Sequence, residues 1–262
     1  MKYLKLILLF TLLICSAILH AQDFKKFDKG DFIDGKDSIS YRILFPENFD
    51  PKQKYPVLFF LHGRGESGND NARQLINGGK LFLKPENRKQ FPAIIIFPQC
   101  PENDFWANVK IITDSTGKRN FDFQTGGKPT KIMKALLGMI DNFLDKPYTN
   151  KNQVYIGGLS MGGMGTFEVL RRKPKTFAAA FTICGADNLA NAGKYKKVPL
   201  WIFHGGKDNI VSPSYSTATA NQLKIIGKEV KFTLYPDANH NSWDSAFAEP
   251  KFLSWLFSHQ KN

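Results

Sequence analysis

The most informative stretch of the 262-residue sequence reads Val154-Tyr155-Ile156-Gly157-Gly158-Leu159-Ser160-Met161-Gly162-Gly163. An apolar run typical of a buried strand leads straight into the pattern Gly-x-Ser-x-Gly, and a helical pattern follows it. A turn this tight leaves no room for side chains two residues on either side of Ser160. It lifts the serine hydroxyl clear of the sheet and points the N-terminus of the following helix at it. Gly and Ser also form plain turns, but the position between a strand and a helix favours a nucleophile at Ser160.

Apolar runs of strand length recur along the chain and end in turn residues, at 39–45, 57–62, 93–98, 154–157, 178–183, 200–204 and 230–235. Several are apolar on both faces, which is typical of buried strands in a parallel sheet, whereas residues 39–45 alternate like an antiparallel edge strand. Helical patterns lie between the strands, at 71–83, 131–144, 164–173, 215–226 and 244–257. This alternation predicts a single α/β domain over residues 22–262, with a mostly parallel sheet and helices on both of its faces.

Residues 1–21 have the pattern of an export signal. A positively charged start precedes an apolar run at 6–19, which is too short for a permanent membrane span, and Ala21 is a small residue at its exit. We expect cleavage after Ala21 and a periplasmic or extracellular protein. Lipidation at Cys15 is the alternative, but Ile14 is bulky for the residue just before a lipidated cysteine. No later segment reaches the length of about 18 apolar residues that a transmembrane helix needs.

The balance of charge is basic, with 36 Lys and Arg against 23 Asp and Glu and a formal net charge of +13. The basic residues are spread over many loops rather than interleaved with a nucleic-acid-binding motif, so we expect a solvated basic surface and no nucleic-acid partner. Acidic glycans and anionic envelope surfaces stay open as partners. The 42% hydrophobic and 23% charged residues are near globular averages, which argues against a disordered, collagen-like or disulfide-framework protein.

A nucleophilic serine needs a base, and the base needs a carboxylate that orients it. Two later strand patterns each run into a short loop that carries one of these groups, Asp208 in the first and His240 in the second. The order serine, acid, histidine is that of hydrolases with this turn. The spacings, 208 − 160 = 48 and 240 − 208 = 32, each leave room for one strand–helix unit. We therefore predict a triad of Ser160, Asp208 and His240.

Other acids and histidines compete for these roles. Asp187 follows the preceding strand and is the alternative acid, but the loop of Asp208 lies one strand before His240, which favours Asp208. His62 and His204 both end strands and are followed by glycine, so we expect them to shape loops rather than to act as the base.

An acyl-transfer site also needs hydrogen-bond donors for the developing oxyanion. The backbone N–H of Met161, which follows the nucleophile at the helix N-terminus, is one candidate. The glycine-rich loop at 61–68 lets the backbone come close, and we predict the N–H of Arg64 as the second donor. A simple turn is the alternative for that loop.

The segment 101–130 is long for a connection inside a compact domain, and such loops often bind ligands or act as lids. It carries Trp106, Phe121 and Phe123 among polar residues. These aromatic residues are candidates for contact with substrate, and the alternative is a small apolar cluster that holds the loop down.

Together these motifs resemble a known family. The motifs are Leu61-His62-Gly63-x-Gly65-Glu66-x-Gly68-x-Asp70-Asn71, Pro98-Gln99-Cys100-Pro101, Gly158-Leu159-Ser160-Met161-Gly162-Gly163-x-Gly165-Thr166, Ile183-Cys184-Gly185, Phe203-His204-Gly205-x-x-Asp208 and His240-x-x-Trp243. In this order they are similar to the secreted α/β-hydrolases of the phospholipase/carboxylesterase type, often labelled predicted peptidases and neighbouring the acetyl xylan and feruloyl esterases. The resemblance runs over about residues 41–257. It implies an eight-stranded α/β-hydrolase sheet, the triad named above, and Arg64 and Met161 as oxyanion donors.

We expect no cofactor and no metal. The histidines after the leader are single, no Cys/His pair has ligand spacing, and Gly126-Gly127-Lys128 lacks the flanking residues of a phosphate loop. In the usual strand order of such a sheet, two strands separate those of Cys100 and Cys184, about 14 Å at about 4.8 Å per strand. A disulfide between them would therefore require loop movement.

The resulting expectation is a secreted serine hydrolase that cleaves carboxylic esters through an acyl-enzyme, with acyl esters on polysaccharides among its candidate substrates. A serine peptidase of the prolyl-oligopeptidase-like type is one alternative, although such enzymes usually carry an extra gating domain. A non-catalytic glycan-binding protein on the same fold is another, but binding alone would not require all three residues of the triad.

Overall fold

The computed structural model describes residues 24–117, 119–228 and 230–261. The predicted leader at 1–21, its cleavage point after Ala21 and Cys15 lie outside these residues. Within the described ranges, no helix combines the length and the apolar character that crossing a membrane demands.

The strands of the described chain are β1 Asp28–Asp34, β2 Asp37–Leu44, β3 Tyr55–Leu61, β4 Ile94–Pro98, β5 Val109–Thr113, β6 Arg119–Phe123, β7 Thr149–Leu159, β8 Ala179–Ile183, β9 Leu200–Gly205 and β10 Lys231–Tyr235. Its α-helices are α1 Gly79–Leu83, α2 Pro85–Gln90, α3 Lys131–Leu144, α4 Met161–Arg172, α5 Ala192–Tyr195, α6 Pro213–Ile225, α7 Trp243–Phe247 and α8 Phe252–Ser258. Short 3-10 turns connect several of them.

Eight of the strands form one sheet in the order β1-β2-β4-β3-β7-β8-β9-β10. The pairs β1·β2 and β2·β4 are antiparallel, and the remaining neighbours are parallel. The predicted α/β-hydrolase fold, a mostly parallel eight-stranded sheet, is therefore confirmed. Strand β2 pairs antiparallel as expected, but it is not the edge of the sheet, because β1 pairs with its outer side. The sequence did not indicate β1 because nearly all of its residues are exposed or half-buried and it lacks an apolar face.

Two apolar cores cover the two faces of the sheet. Along β3, Val57, Phe59 and Leu61 belong to the core that α3, α4 and α6 complete, and Leu58 and Phe60 belong to the core that α1, α7 and α8 complete. Successive strand residues point to opposite faces, so a strand buried on both sides must be apolar throughout. This explains the unbroken apolar runs of the sequence and confirms the expected helices on both faces.

Two predicted helices are broken in the structure. The helix expected at 71–83 is a 3-10 turn followed by α1, with Gly78 at a φ of 101° between them. A side chain at Gly78 would also come within 2.9 Å of the Phe60 ring. The helix expected at 244–257 is divided into α7 and α8 around Pro250, since proline disfavours helical geometry in the residue before it.

The loop at 101–130 contains a hairpin that the sequence did not predict. Its strands β5 and β6 pair antiparallel, with Val109 opposite Phe123. Most of their residues are exposed, so the pattern of burial that marks a core strand is missing. The hairpin stands over the carboxyl ends of the parallel strands, where it forms a wall of the site described next.

Candidate active site

Ser160 occupies a sharp turn between β7 and α4, with φ of 52° and ψ of −118°. Its backbone N–H donates to the Ile183 carbonyl at 2.8 Å, which ties the turn to β8. A Cβ atom on Gly162 would lie 1.9 Å from the Leu61 carbonyl oxygen, and one on Gly158 would lie 2.5 Å from it. The two glycines are therefore required because the turn packs against the backbone at the end of β3.

Three side chains predicted from the sequence form one hydrogen-bonded chain. Ser160 Oγ lies 2.9 Å from His240 Nε2, and His240 Nδ1 lies 2.8 Å from Asp208 Oδ2. Because the ionised carboxylate can only accept, Nδ1 carries the proton and Nε2 is left to accept from the serine hydroxyl. The geometry is that of a nucleophile, a base and an orienting acid.

The Asp208 carboxylate is buried and held by several donors. Its Oδ1 accepts from the backbone N–H groups of Ile210 and Val211, each at 2.9 Å. Burial raises the pKa of this carboxyl, but hydrogen bonds from His204, His240 and the Val211 N–H outweigh it and hold the pKa well below its ordinary value. Asp208 is therefore ionised at neutral pH.

Asp187, the alternative acid, belongs to a separate network. Its carboxyl accepts from the Asn188 N–H at 2.7 Å, from Asn191 Nδ2 at 2.9 Å and from the Tyr195 hydroxyl at 2.9 Å. Burial is the largest influence and raises its pKa to about 6 despite these donors. The structure thus brings Asp208, rather than Asp187, to His240.

His62 and His204 are both fully buried at the ends of their strands. His62 Nδ1 donates to the Gly63 carbonyl at 2.6 Å and its Nε2 accepts from the Cys100 N–H at 2.9 Å, so it shapes a loop as expected. Burial lowers its pKa to about 4 and keeps it neutral. His204 also lies 3.2 Å from Asp208 Oδ2, a contact that sequence reasoning missed. The spacing His204-x-x-x-Asp208 was the only signal for it.

The two predicted oxyanion donors flank Ser160. Met161 is the first residue of α4, where N–H groups have no partner inside the helix, and Arg64 begins a 3-10 turn after β3. A Cβ on Gly63 would lie 3.6 Å from the Cβ of Ser160, so this turn packs directly against the serine. The Arg64 guanidinium donates to the carbonyls of Asp104, at 2.7 Å, and Glu102, which ties the turn to the loop at 101–130.

A cavity of about 620 Å³ opens above Ser160. Its lining includes Met161 and Met164 from α4, Val211 from the Asp208 loop, and the hairpin residues Val109, Ile111, Arg119 and Phe121. The volume is in the range typical of small-molecule sites. The hairpin therefore supplies one wall of the space in which a bound group would contact the serine.

Of the three aromatic residues proposed for substrate contact, Phe121 lines this cavity and the other two differ from expectation. Trp106 is fully buried beneath the loop and donates from Nε1 to the His62 carbonyl at 3.2 Å. Phe123 packs against Phe121 and lines an adjacent cavity of about 460 Å³, together with Tyr215. Both fit the alternative interpretation, an apolar cluster that fixes the loop.

Among the described residues, one group offers three potential metal-binding atoms within 4.8 Å of one another, from Cys184, Asp208 and His240. Asp208 and His240 are hydrogen-bonded to each other there, and burial holds the pKa of the Cys184 thiol well above its ordinary value. The group is thus the acid–base pair beside a protonated thiol. Cys184 and Cys100 are both free and buried.

Comparison with known proteins identifies a family and several esterase relatives. Residues 49–254 match the family model described as Phospholipase/Carboxylesterase. Lysophospholipase-like protein 1 of Mus musculus is 26% identical over 212 residues, which cover 77% of this chain and 85% of that protein. The bifunctional acetylxylan esterase/xylanase XynS20E of Neocallimastix patriciarum is 31% identical over 171 residues, or 65% of this chain and 21% of that protein.

Among solved structures, a thermostable esterase superimposes with a TM-score of 0.80 and 31% identity over 92% of this chain, which spans 64% of that esterase. A ferulic acid esterase from Anaeromyces mucronatus, at 15% identity and a TM-score of 0.63 over 89% of this chain and 90% of its own, shares the fold. From the family match and these esterase relatives, the chain belongs to the phospholipase/carboxylesterase family and is a carboxylic ester hydrolase.

Proposed function

We propose that the chain hydrolyses carboxylic esters through an acyl-enzyme on Ser160. The observation that carries the proposal is the continuous hydrogen-bonded chain from Ser160 Oγ through His240 to Asp208, at the floor of an open cavity. In the first step, His240 Nε2 accepts the hydroxyl proton while Ser160 Oγ bonds to the ester carbonyl carbon. The carbonyl oxygen takes up the electron pair and receives hydrogen bonds from the Arg64 and Met161 N–H groups.

The intermediate then collapses, and the bond to the alcohol oxygen breaks. His240 gives its proton to the leaving alcohol, and the acyl group stays on Ser160. Water, deprotonated by the same imidazole, attacks the acyl carbon, and the acid leaves as the serine recovers its proton. Asp208 keeps the tautomer and orientation of His240 and stabilises the imidazolium that forms twice per cycle.

For the substrate, we propose acyl esters on polysaccharides. The relatives include proteins named acetylxylan esterase/xylanase and endo-1,4-beta-xylanase/feruloyl esterase. The cavity supports an acyl group of moderate size, since its wall combines apolar side chains such as Ile111 and Phe121 with the cationic Arg119. Such substrates lie outside the cell, and we propose export directed by residues 1–21. N-terminal sequencing of the exported protein should then begin at Gln22.

The test is a comparison of substrates with one matched variant. The wild-type protein is assayed on p-nitrophenyl esters of increasing acyl length, on acetylated and feruloylated oligosaccharides, and on peptide p-nitroanilides. We expect turnover of the esters, and Ser160→Ala should fold normally and lose that turnover. Faster cleavage of the amides would favour a peptidase, and more than a few per cent of wild-type activity in well-folded Ser160→Ala would refute the mechanism.

A further inference from the structure

His204 lies at the end of β9 with its imidazole fully buried between the Asp208 loop and α6. Its Nε2 is 3.2 Å from Asp208 Oδ2 and 2.9 Å from the Val211 carbonyl oxygen. Its Nδ1 is 2.7 Å from Ser216 Oγ, and that oxygen is 3.1 Å from the Gly185 carbonyl oxygen. One ring therefore contacts the acid, the loop that carries the acid, and the helix behind it.

The direction of these hydrogen bonds follows from what each partner can do. The Val211 carbonyl and the ionised carboxylate only accept, so Nε2 of His204 must carry a proton. The Ser216 hydroxyl can donate to Nδ1 or to the Gly185 carbonyl, so Nδ1 accepts from it when the ring is neutral and donates to it when the ring is charged. In both cases the Nε2 proton points to Asp208 and the Val211 carbonyl, and Ser216 of α6 fixes the other side of the ring.

We propose that His204 is a positioning residue for Asp208, and that its ring holds the carboxylate in the orientation in which Oδ2 accepts from His240. The proposal rests on the role of Asp208 in the mechanism above. A buried carboxylate is stable as an anion only when donors replace its water, and here Oδ2 has two imidazoles while Oδ1 has two backbone N–H groups. Loss of His204 removes one of these donors and frees the Val211 carbonyl from β9.

Two other titratable groups lie near the pair, and burial favours the neutral form of each. Cys184, at the end of β8, interacts with Asp208, but burial holds the pKa of its thiol well above its ordinary value. Glu66, in the turn after β3, interacts with His240, and burial raises its pKa too. Among the described residues packed against Asp208, the two imidazoles are therefore the titratable groups that donate to the carboxylate.

Two substitutions separate positioning from packing. Asparagine at 204 places its amide nitrogen near the position of Nδ1, towards Ser216, whereas glutamine reaches the position of Nε2, towards Asp208. We expect His204→Asn to lower kcat on p-nitrophenyl acetate by about 10- to 100-fold, the scale of a hydrogen bond to a charged group. KM should stay within about two-fold, since His204 does not line the cavity. His204→Gln should recover most of kcat.

The pH profile gives a readout that a packing role would not change. Without its second imidazole, the Asp208 carboxylate interacts more strongly with the His240 imidazolium, so the acid limb of kcat/KM against pH should move to higher pH in His204→Asn. It should move less in His204→Gln. In an Asp208→Asn background, His204→Asn should have little further effect on kcat, because the group that it positions is already altered.

The matched control is Thr149→Val. It removes a buried hydrogen bond of 2.6 Å to the Phe143 carbonyl at the opposite end of β7 from Ser160, where Thr149 pairs with Tyr55 at the start of β3. It should lower Tm and leave kcat and the acid limb unchanged. If His204→Asn loses activity only in proportion to its Tm, with the acid limb unmoved, or keeps wild-type kcat while Ser160→Ala is inactive, the positioning role is wrong and the mechanism stands. Activity in Ser160→Ala would instead refute the mechanism itself.

Discussion

The substitution Asp187→Asn tests whether burial raises the pKa of Asp187, a carboxyl that lies outside the triad. Asp187 is 8% exposed, and burial raises its pKa from 3.8 to about 6. The folded protein therefore binds this proton more tightly than the unfolded chain does. The resulting stabilisation is fully present below about pH 3.8 and is lost as the pH rises through about 6. At about 1.36 kcal/mol per unit, the loss amounts to about 3 kcal/mol, of which roughly 2.4 falls between pH 4 and pH 7.

Asparagine at 187 keeps the shape of the side chain but cannot ionise. Its carbonyl oxygen can accept from Asn188 and Asn191, and its amide can donate to the Tyr195 hydroxyl. Urea unfolding of both proteins at pH 4, 5, 6 and 7, followed by tryptophan fluorescence, gives the two free energies of unfolding at each pH. The contributions of other groups, including Asp208, are common to both proteins and cancel. The free energy of the variant should rise relative to wild type by about 2–3 kcal/mol from pH 4 to pH 7. A difference that stays constant across this range would show that folding does not raise the pKa of Asp187.

Three further predictions concern the acid, the turn and the cavity. Asp208→Asn should lower kcat on an ester by about 10³–10⁴-fold in a folded protein, whereas the kcat of Asp187→Asn should stay within a few-fold of wild type. If Asp187→Asn instead showed the larger loss of kcat, Asp187 would be the acid of the triad. Gly162→Ala should lower the free energy of unfolding by several kcal/mol, because its Cβ would lie 1.9 Å from a backbone oxygen. Gly193→Ala has open space around it and should be neutral or stabilising, so equal stability of the two variants would contradict the packing of the turn. Phe121→Ala should raise KM for an aromatic acyl ester by about ten-fold and leave that for an acetyl ester unchanged, and equal effects on both would remove Phe121 from acyl recognition.

The fold was predictable where local pattern and global packing agree. Strands β3, β4, β8 and β9 and the second half of β7 are largely buried on both faces, so each appears in the sequence as a mostly apolar run. The positions of Ser160, Asp208 and His240 followed from a turn with strict steric needs and from the order of loops at one edge of a parallel sheet. The first signal lies within a few consecutive residues, and the second lies in the order of strand and helix patterns along the chain.

The remainder depends on contacts between distant segments. The hairpin of β5 and β6 carries few buried residues, and its pairing is not encoded in either strand alone. Which aromatic residue of the loop faces the cavity depends on how the whole loop packs, and Trp106 turns inward because it packs against the Gly165 backbone and donates to the His62 carbonyl. The contact of His204 with Asp208 depends on how the loop after β9 folds back, which the sequence pattern does not indicate.

Acylation of Ser160 during turnover can be detected by mass spectrometry of the quenched protein, first intact and then as peptides. The protein is mixed with p-nitrophenyl acetate, quenched in acid within the first turnovers, and digested for peptide mapping. We expect a single acetyl adduct on the peptide that contains Ser160, formed together with a burst of p-nitrophenol, and no adduct in Ser160→Ala. An adduct on another residue, or equal labelling of Ser160→Ala, would contradict it.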